Sequence, residues 1–112
     1  MTHARTPRQV AGTLPEHWQR TAQVFMALGE DHRQQILLLF SAGQKMSVRA
    51  IVQASPLSRS AIAHHLAVMR EAGVLHAQRV GRETLYWPDP DAVRVALDAV
   101  RDYLDAHFPV HR

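Results

Sequence analysis

From Pro15 onward apolar residues recur three or four positions apart, at Trp18, Ala22, Phe25 and Met26, up to Leu28 and Gly29. That period predicts an amphipathic helix. A second helix is predicted to start at Glu30 or Asp31, whose carboxylates suit a helix N-terminus. It carries Ile36, Leu37, Leu39 and Phe40 and is expected to stop around Gly43. A short third helix over about residues 47–54 uses Val48, Ile51 and Val52, and Ser55-Pro56 breaks it. Ser58 is the natural N-cap of a longer fourth helix that ends before Gly73.

There the period falls from 3.6 to 2. Residues 74–80 and 83–87 are short β-type runs on either side of Gly81, which predicts a hairpin closed by Pro88. Asp89 and Pro90 then supply a cap and a first-turn proline for a last helix through about Phe108. In it Val93, Leu97, Val100, Leu104 and Phe108 form a near-heptad apolar stripe, more than a chain end needs for itself. A short helix, a tight break and a longer helix make a helix-turn-helix, and the hairpin behind it makes a wing. The predicted fold is therefore mainly α with a small β-hairpin wing.

A chain of 112 residues suits one domain. We assign it to residues 14–108, between a polar, aperiodic tail at 1–13 that is expected to be disordered and a short C-terminal tail at 109–112. A domain this small buries a modest share of its surface, so dimerisation is expected. The longest aliphatic or aromatic run, residues 36–40, is far too short for a membrane span, and the polar N-terminus has no secretory h-region. A cytoplasmic location follows as the expectation.

The chain has no cysteine, which excludes disulfides, thiolate metal sites and Cys nucleophiles. Catalysis of other kinds has little support, because the acids are scattered and no phosphate loop or nucleophile motif is present. Charge is segregated. Between Lys45 and Arg82 lie six basic residues and one acid, Glu71, whereas from Asp89 onward three arginines face five aspartates. The middle of the chain suits a polyanion and the end does not. Twelve of the thirteen cationic side chains are Arg, able to fork onto phosphate or guanine.

Plotted at helical pitch, the fourth helix separates into two faces. Ile62, Leu66, Met69 and Gly73 share a narrow arc with His65 at its edge, while Ser60, His64, Ala67 and Glu71 lie opposite, flanked by Arg59, Ala63 and Arg70. A small, polar N-terminal outer face can enter a major groove. Arg59, Ser60, Ala63 and His64 are thus the candidate groove contacts, and Ser58 the cap. His65 is expected to be half-buried in packing or to touch phosphate. Arg79 and Arg82 flank the turn glycine of the wing and, with Arg49, are candidate phosphate contacts. The partner these residues suit is double-stranded DNA.

Residues 58–74 read SRSAIAHHLAVMREAGV. This resembles the recognition-helix signature of the ArsR/SmtB family, roughly S-Q-x-x-[VI]-S-x-H-L-x-x-L-[RK]-x-x-G-[LV]. Leu28, Arg33 and Ile36-Leu37 match in the second helix, as do Arg79, Gly81, Arg82 and Tyr86 in the wing. The resemblance covers about residues 15–108. It implies a homodimeric winged-helix repressor, paired through its first and last helices, on imperfect inverted repeats. Trp18, Phe25, Val93, Leu97, Val100, Tyr103 and Leu104 are the matching candidates for the dimer and core seam. Arg59 replaces the usual glutamine and Ala63 the usual serine, so the operator does not carry over.

The family's sensor sites do not carry over either. Its Cys-x-Cys positions are Ser47, Val48 and Arg49 here. Its zinc pattern in the last helix, begun at Asp91, continues with Val93, Leu104 and His107, and two of four ligands do not close a tetrahedral site. His3, His17 and His111 could meet across a dimer, since the first and last helices pack together. The spacing therefore predicts no metal and no cofactor, and leaves any effector unknown. Two other readings remain open. One is a regulator without a sensor, either constitutive or displacing other DNA-binding proteins. The other, which the basic middle of the chain disfavours, is a protein-interaction module using the fold as a scaffold.

Overall fold

The computed structural model describes residues 12–110. Residues 1–11 of the expected N-terminal tail, His3 among them, lie outside the described residues, as do His111 and Arg112. The order of elements is α1 (Glu16–Leu28), α2 (Asp31–Leu37), β1 (Met46–Ser47), α3 (Val48–Gln53), α4 (Arg59–Glu71), β2 (Leu75–Val80), β3 (Glu83–Pro88) and α5 (Pro90–His107).

Four of the five helices begin at a side-chain oxygen that accepts an otherwise free backbone N–H: Glu30 for α2, Ser47 for α3, Ser58 for α4 and Asp89 for α5. The end of α4 is equally local in origin. Gly73 takes φ +81°, its N–H donates to the Arg70 carbonyl, and the Val74 N–H donates to the Met69 carbonyl at 2.9 Å. That pair of bonds is a Schellman closure, and it turns the chain straight into β2.

Helix α2 is shorter than its apolar run suggested. After Leu37 the last turn tightens, with Leu39 N–H donating to the Ile36 carbonyl and Phe40 N–H to that of Leu37. Leu37, Leu39 and Phe40 still pack against the core, while Leu38 points outward. Five consecutive apolar residues carry no period, so the sequence could not place this end. The expected hairpin is present but acquires a third strand. Met46 and Ser47 pair antiparallel with Tyr86 and Leu85, giving the order β1-β3-β2. At the wing tip Val80 pairs with Glu83 around a two-residue turn whose Gly81 has φ +61°. Glycine first in the turn matches the II′ geometry that suits strand twist.

The core joins the layers. Val24, Ile36, Ile51, Ile62, Leu66, Met69, Val74 and Leu75 are all buried and draw on α1, α2, α3, α4 and the start of the sheet. Helix α5 begins against this core through Ala96 and Val93, then runs along α1, where Trp18 meets Tyr103 edge to face at 5.7 Å. Among the described residues no helix is long and apolar enough to cross a membrane.

Asp89 fixes where α5 starts. Its carboxylate accepts from the Ala92 N–H at 3.2 Å and from His76 Nε2 at 2.9 Å, and its own N–H donates to the Val74 carbonyl. The Ala92 hydrogen bond first, against some desolvation and with help from His76, holds this carboxyl below the usual carboxylate range. A depressed folded-state value stabilises the fold above the unfolded value and loses that contribution as pH falls through the folded one. Asp89→Ala is therefore expected to cost about 1 kcal/mol at neutral pH, with the difference from wild type shrinking below about pH 4. Urea denaturation across this pH range measures it. A pH-independent difference would contradict the assignment.

Candidate nucleic-acid interface

The break between α3 and α4 is set locally. The Leu57 N–H donates to Ser55 Oγ, and half-buried Leu57 packs against the core. Ser58 Oγ then accepts from the Ala61 N–H at 3.2 Å and lies 3.2 Å from Ser60 Oγ. Helix α4 starts with its inner face committed, because Ile62, Leu66 and Met69 are fully buried. Arg59, Ser60, Ala63, His64, Ala67 and Arg70 are left in solvent. The two faces fall where helical pitch placed them, so the sequence-derived groove candidates share one exposed surface.

Arg79 and Arg82 are exposed at the wing tip, where Arg79 Nε donates to the Gly81 carbonyl at 3.1 Å. That bond orders the tip and leaves the remaining guanidinium donors outward. Arg49 is exposed on α3. Among the described residues no carboxylate lies within ion-pairing distance of Arg49, Arg59, Arg79 or Arg82. Their charge is therefore free to meet phosphate oxygens, in Arg79 through the donors that Gly81 does not take.

His65 has a different environment from His64. It is half-buried at the inner edge of α4. Arg33 Nη1 donates to His65 Nδ1 at 3.3 Å, while the same guanidinium donates from Nε to the Ala27 carbonyl at 2.7 Å and from Nη2 to the Met26 carbonyl at 3.2 Å. Arg33 thus fastens the C-terminus of α1 to the recognition helix. Burial first, opposed by the Glu30 carboxylate and assisted by the Arg33 charge, holds the His65 imidazole below its ordinary value. Its half-burial and its hydrogen bond with Arg33 suit a packing and hydrogen-bonding role.

Sequence spacing missed one cluster. Glu30, His32 and His65 come together with ligand-capable atoms all within 4.8 Å of one another. Glu30 and His32 bracket the start of α2, but His65 is 33 residues further along, on the facing helix. The available signals were the Glu-x-His pair at a helix start and the placement of His65 on the inner edge of α4. The expected seam residues divide. Val93 packs against its own core and Val100 is half-buried, whereas Leu97 and Leu104 are about half exposed, at 51% and 48%, on the outer side of α5. Phe25 on α1 is also exposed, and Trp18 and Tyr103 contact each other within one chain.

Comparison with known proteins agrees with this architecture. The bacterial regulatory protein, arsR family, matches residues 30–77, from the α2 cap to β2. An HTH-type transcriptional regulator of Methanocaldococcus jannaschii is 28% identical over 85 residues, covering 76% of this chain and 96% of the relative. The arsenic resistance transcriptional regulator ArsR1 of Pseudomonas putida is 31% identical over 84 residues, covering 75% of this chain and 66% of its own length. A solution structure of the homodimeric winged helix-turn-helix DNA-binding domain of a possible ArsR-family regulator from Mycobacterium bovis superposes with a TM-score of 0.64 at 27% identity, covering 91% of this chain and 100% of that one. These relatives are transcriptional regulators rather than enzymes. The helix-turn-helix of α3 and α4 lies wholly inside the matched segment, and the chain belongs to the ArsR family and is a DNA-binding winged helix-turn-helix transcriptional regulator.

Proposed function

We propose that the chain acts as a homodimeric repressor on an imperfect inverted repeat, in which the outer face of α4 reads a half-site and the wing grips the flanking backbone. Arg59, Ser60, Ala63 and His64 contact base edges. Arg49, Arg79 and Arg82 contact phosphate. The observation that carries this reading is the set of exposed arginines on α4 and the wing that have no carboxylate partner among the described residues, together with apolar residues on α5 that one copy leaves uncovered. Leu97 and Leu104, on one face of α5, are 51% and 48% exposed, and Phe108 at its end is 66% exposed. Exposed apolar area on that scale marks an interface, and the similar Mycobacterium bovis domain is homodimeric. Two-fold pairing of two recognition helices is what makes an operator palindromic. With no cysteine in the chain, cysteine-based metal or redox sensing is not part of the mechanism.

Selection from a random duplex pool tests the reading. An enriched inverted repeat whose placement over a promoter lowers transcription in vitro is the expected result, and enrichment of single unpaired half-sites would overturn it. Sedimentation equilibrium at micromolar concentration is expected to give a dimer, and a species near 12.6 kDa would remove the α5 interface.

Arg59→Ala and Arg82→Ala are expected to fail in different ways. Losing Arg59 costs about 1–3 kcal/mol and relaxes selectivity at one position per half-site. Losing Arg82 weakens all sequences alike and flattens the salt slope by about one unit per lost contact. Titrating matched and mismatched operators with each variant separates the two roles, and identical behaviour would mean they are misassigned.

A further inference from the structure

We infer that Glu30, His32 and His65 form a binding site for one borderline divalent cation, such as zinc, cobalt or nickel, and that its occupation changes how the recognition helix is held. The inference rests on the DNA-binding reading above for its regulatory half only.

Two imidazoles and a carboxylate are the donor set these ions prefer. Here the three are already assembled by the fold. His32 Nδ1 donates to Glu30 Oε1 at 2.9 Å, and the His32 and His65 rings lie 5.9 Å apart, centroid to centroid. The potential ligand atoms all fall within 4.8 Å of one another. Tetrahedral zinc with bonds of about 2.0–2.1 Å sets its ligands roughly 3.3 Å apart, so side-chain rotations of about 1 Å close the site. All three residues are half-buried, which leaves a solvent-facing position for a fourth ligand, water. Glu30 and its exposed neighbour Asp31 supply two carboxylates that offset the charge of a cation and of Arg33.

The lone pair on His65 Nδ1 already faces a cation, the Arg33 guanidinium. A metal ion at His65 takes the place of Arg33 Nη1. Arg33 does not lose its anchorage, because Nε and Nη2 remain on the carbonyls of Ala27 and Met26. The exchange therefore replaces a hydrogen bond from α4 to Arg33 of α2, which relays to the end of α1, by a metal bridge from α4 to the first turn of α2. His65 precedes the buried Leu66 and follows His64, which faces outward among the groove candidates. A change in the grip on His65 is transmitted to that face through one helical residue. The α2 half of the site and the recognition-helix half are distant in sequence, which is why ligand spacing along the chain does not show them.

The full-length protein is titrated with zinc against a chromophoric chelator, and with cobalt while its visible absorption is followed. The same proteins are then tested for operator affinity by fluorescence anisotropy, with zinc and with chelator. Variants are His32→Ala, Glu30→Gln, which keeps an oxygen for the α2 cap, and His76→Ala as a histidine outside the cluster. Wild type and His76→Ala are expected to bind one ion per chain, and His32→Ala and Glu30→Gln to bind it at least about tenfold more weakly. Zinc is expected to change operator affinity by at least about tenfold in wild type and by less than about threefold in His32→Ala. Equal zinc affinity in wild type and His32→Ala overturns the site. Occupation that leaves operator affinity unchanged overturns its regulatory role. If the metal-free protein binds no DNA, the DNA reading fails while the chelator titration still decides the site.

Discussion

Raising the salt concentration from about 50 to about 200 mM is expected to weaken operator binding by roughly a thousandfold. Arg49, Arg79 and Arg82 are exposed and free of carboxylate partners among the described residues, and a dimer presents each of them twice. With about 0.9 counterion released per neutralised phosphate, six contacts give a slope near −5 for log affinity against log salt. No other single condition is expected to move binding so far. Anisotropy titrations on a defined operator at four salt concentrations measure it directly. A slope near zero would show that the arginines of the wing and α3 do not touch the backbone, whatever α4 reads.

The second large effect is on stability. Leu66→Ala is expected to cost about 2–5 kcal/mol, because Leu66 is fully buried in the joint core of α2, α3 and α4 and its removal leaves a cavity. Its neighbour Ala67 is exposed on the same helix. Ala67→Ser is expected to stay within about 0.5 kcal/mol. Urea denaturation at one fixed protein concentration compares the two, since concentration enters the stability of a dimer. Similar costs for both variants would mean that the two faces of α4 are not divided as described. Loss of DNA binding in Leu66→Ala at temperatures where the variant is folded would add that the core sets the pose of the recognition helix.

Local chemistry wrote much of this protein into its sequence. Ser58, Gly73, Gly81 and Asp89 mark the ends of α4, the wing turn and the start of α5, because each acts on backbone groups within a few residues. The inner and outer faces of α4 were legible for the same reason, since helical pitch alone sorts Ile62, Leu66 and Met69 from Arg59, Ala63 and His64. The groove candidates and the family resemblance both rest on that helix.

What depended on the tertiary structure was whatever needed a partner far along the chain. The strand Met46–Ser47 is too short to show alternation and exists because β3 offers Leu85 and Tyr86 as its partners. The end of α2 was hidden in an unbroken apolar run and was decided by which of Leu37, Leu38, Leu39 and Phe40 the core could accept. Arg33 pairs with His65 across 32 positions, and only the packing of α2 on α4 places Glu30 and His32 beside the same imidazole. A sequence states short-range backbone chemistry openly because both partners sit within one turn. Contacts between helices depend on crossing geometry, which the sum of core packing sets and no single local pattern contains.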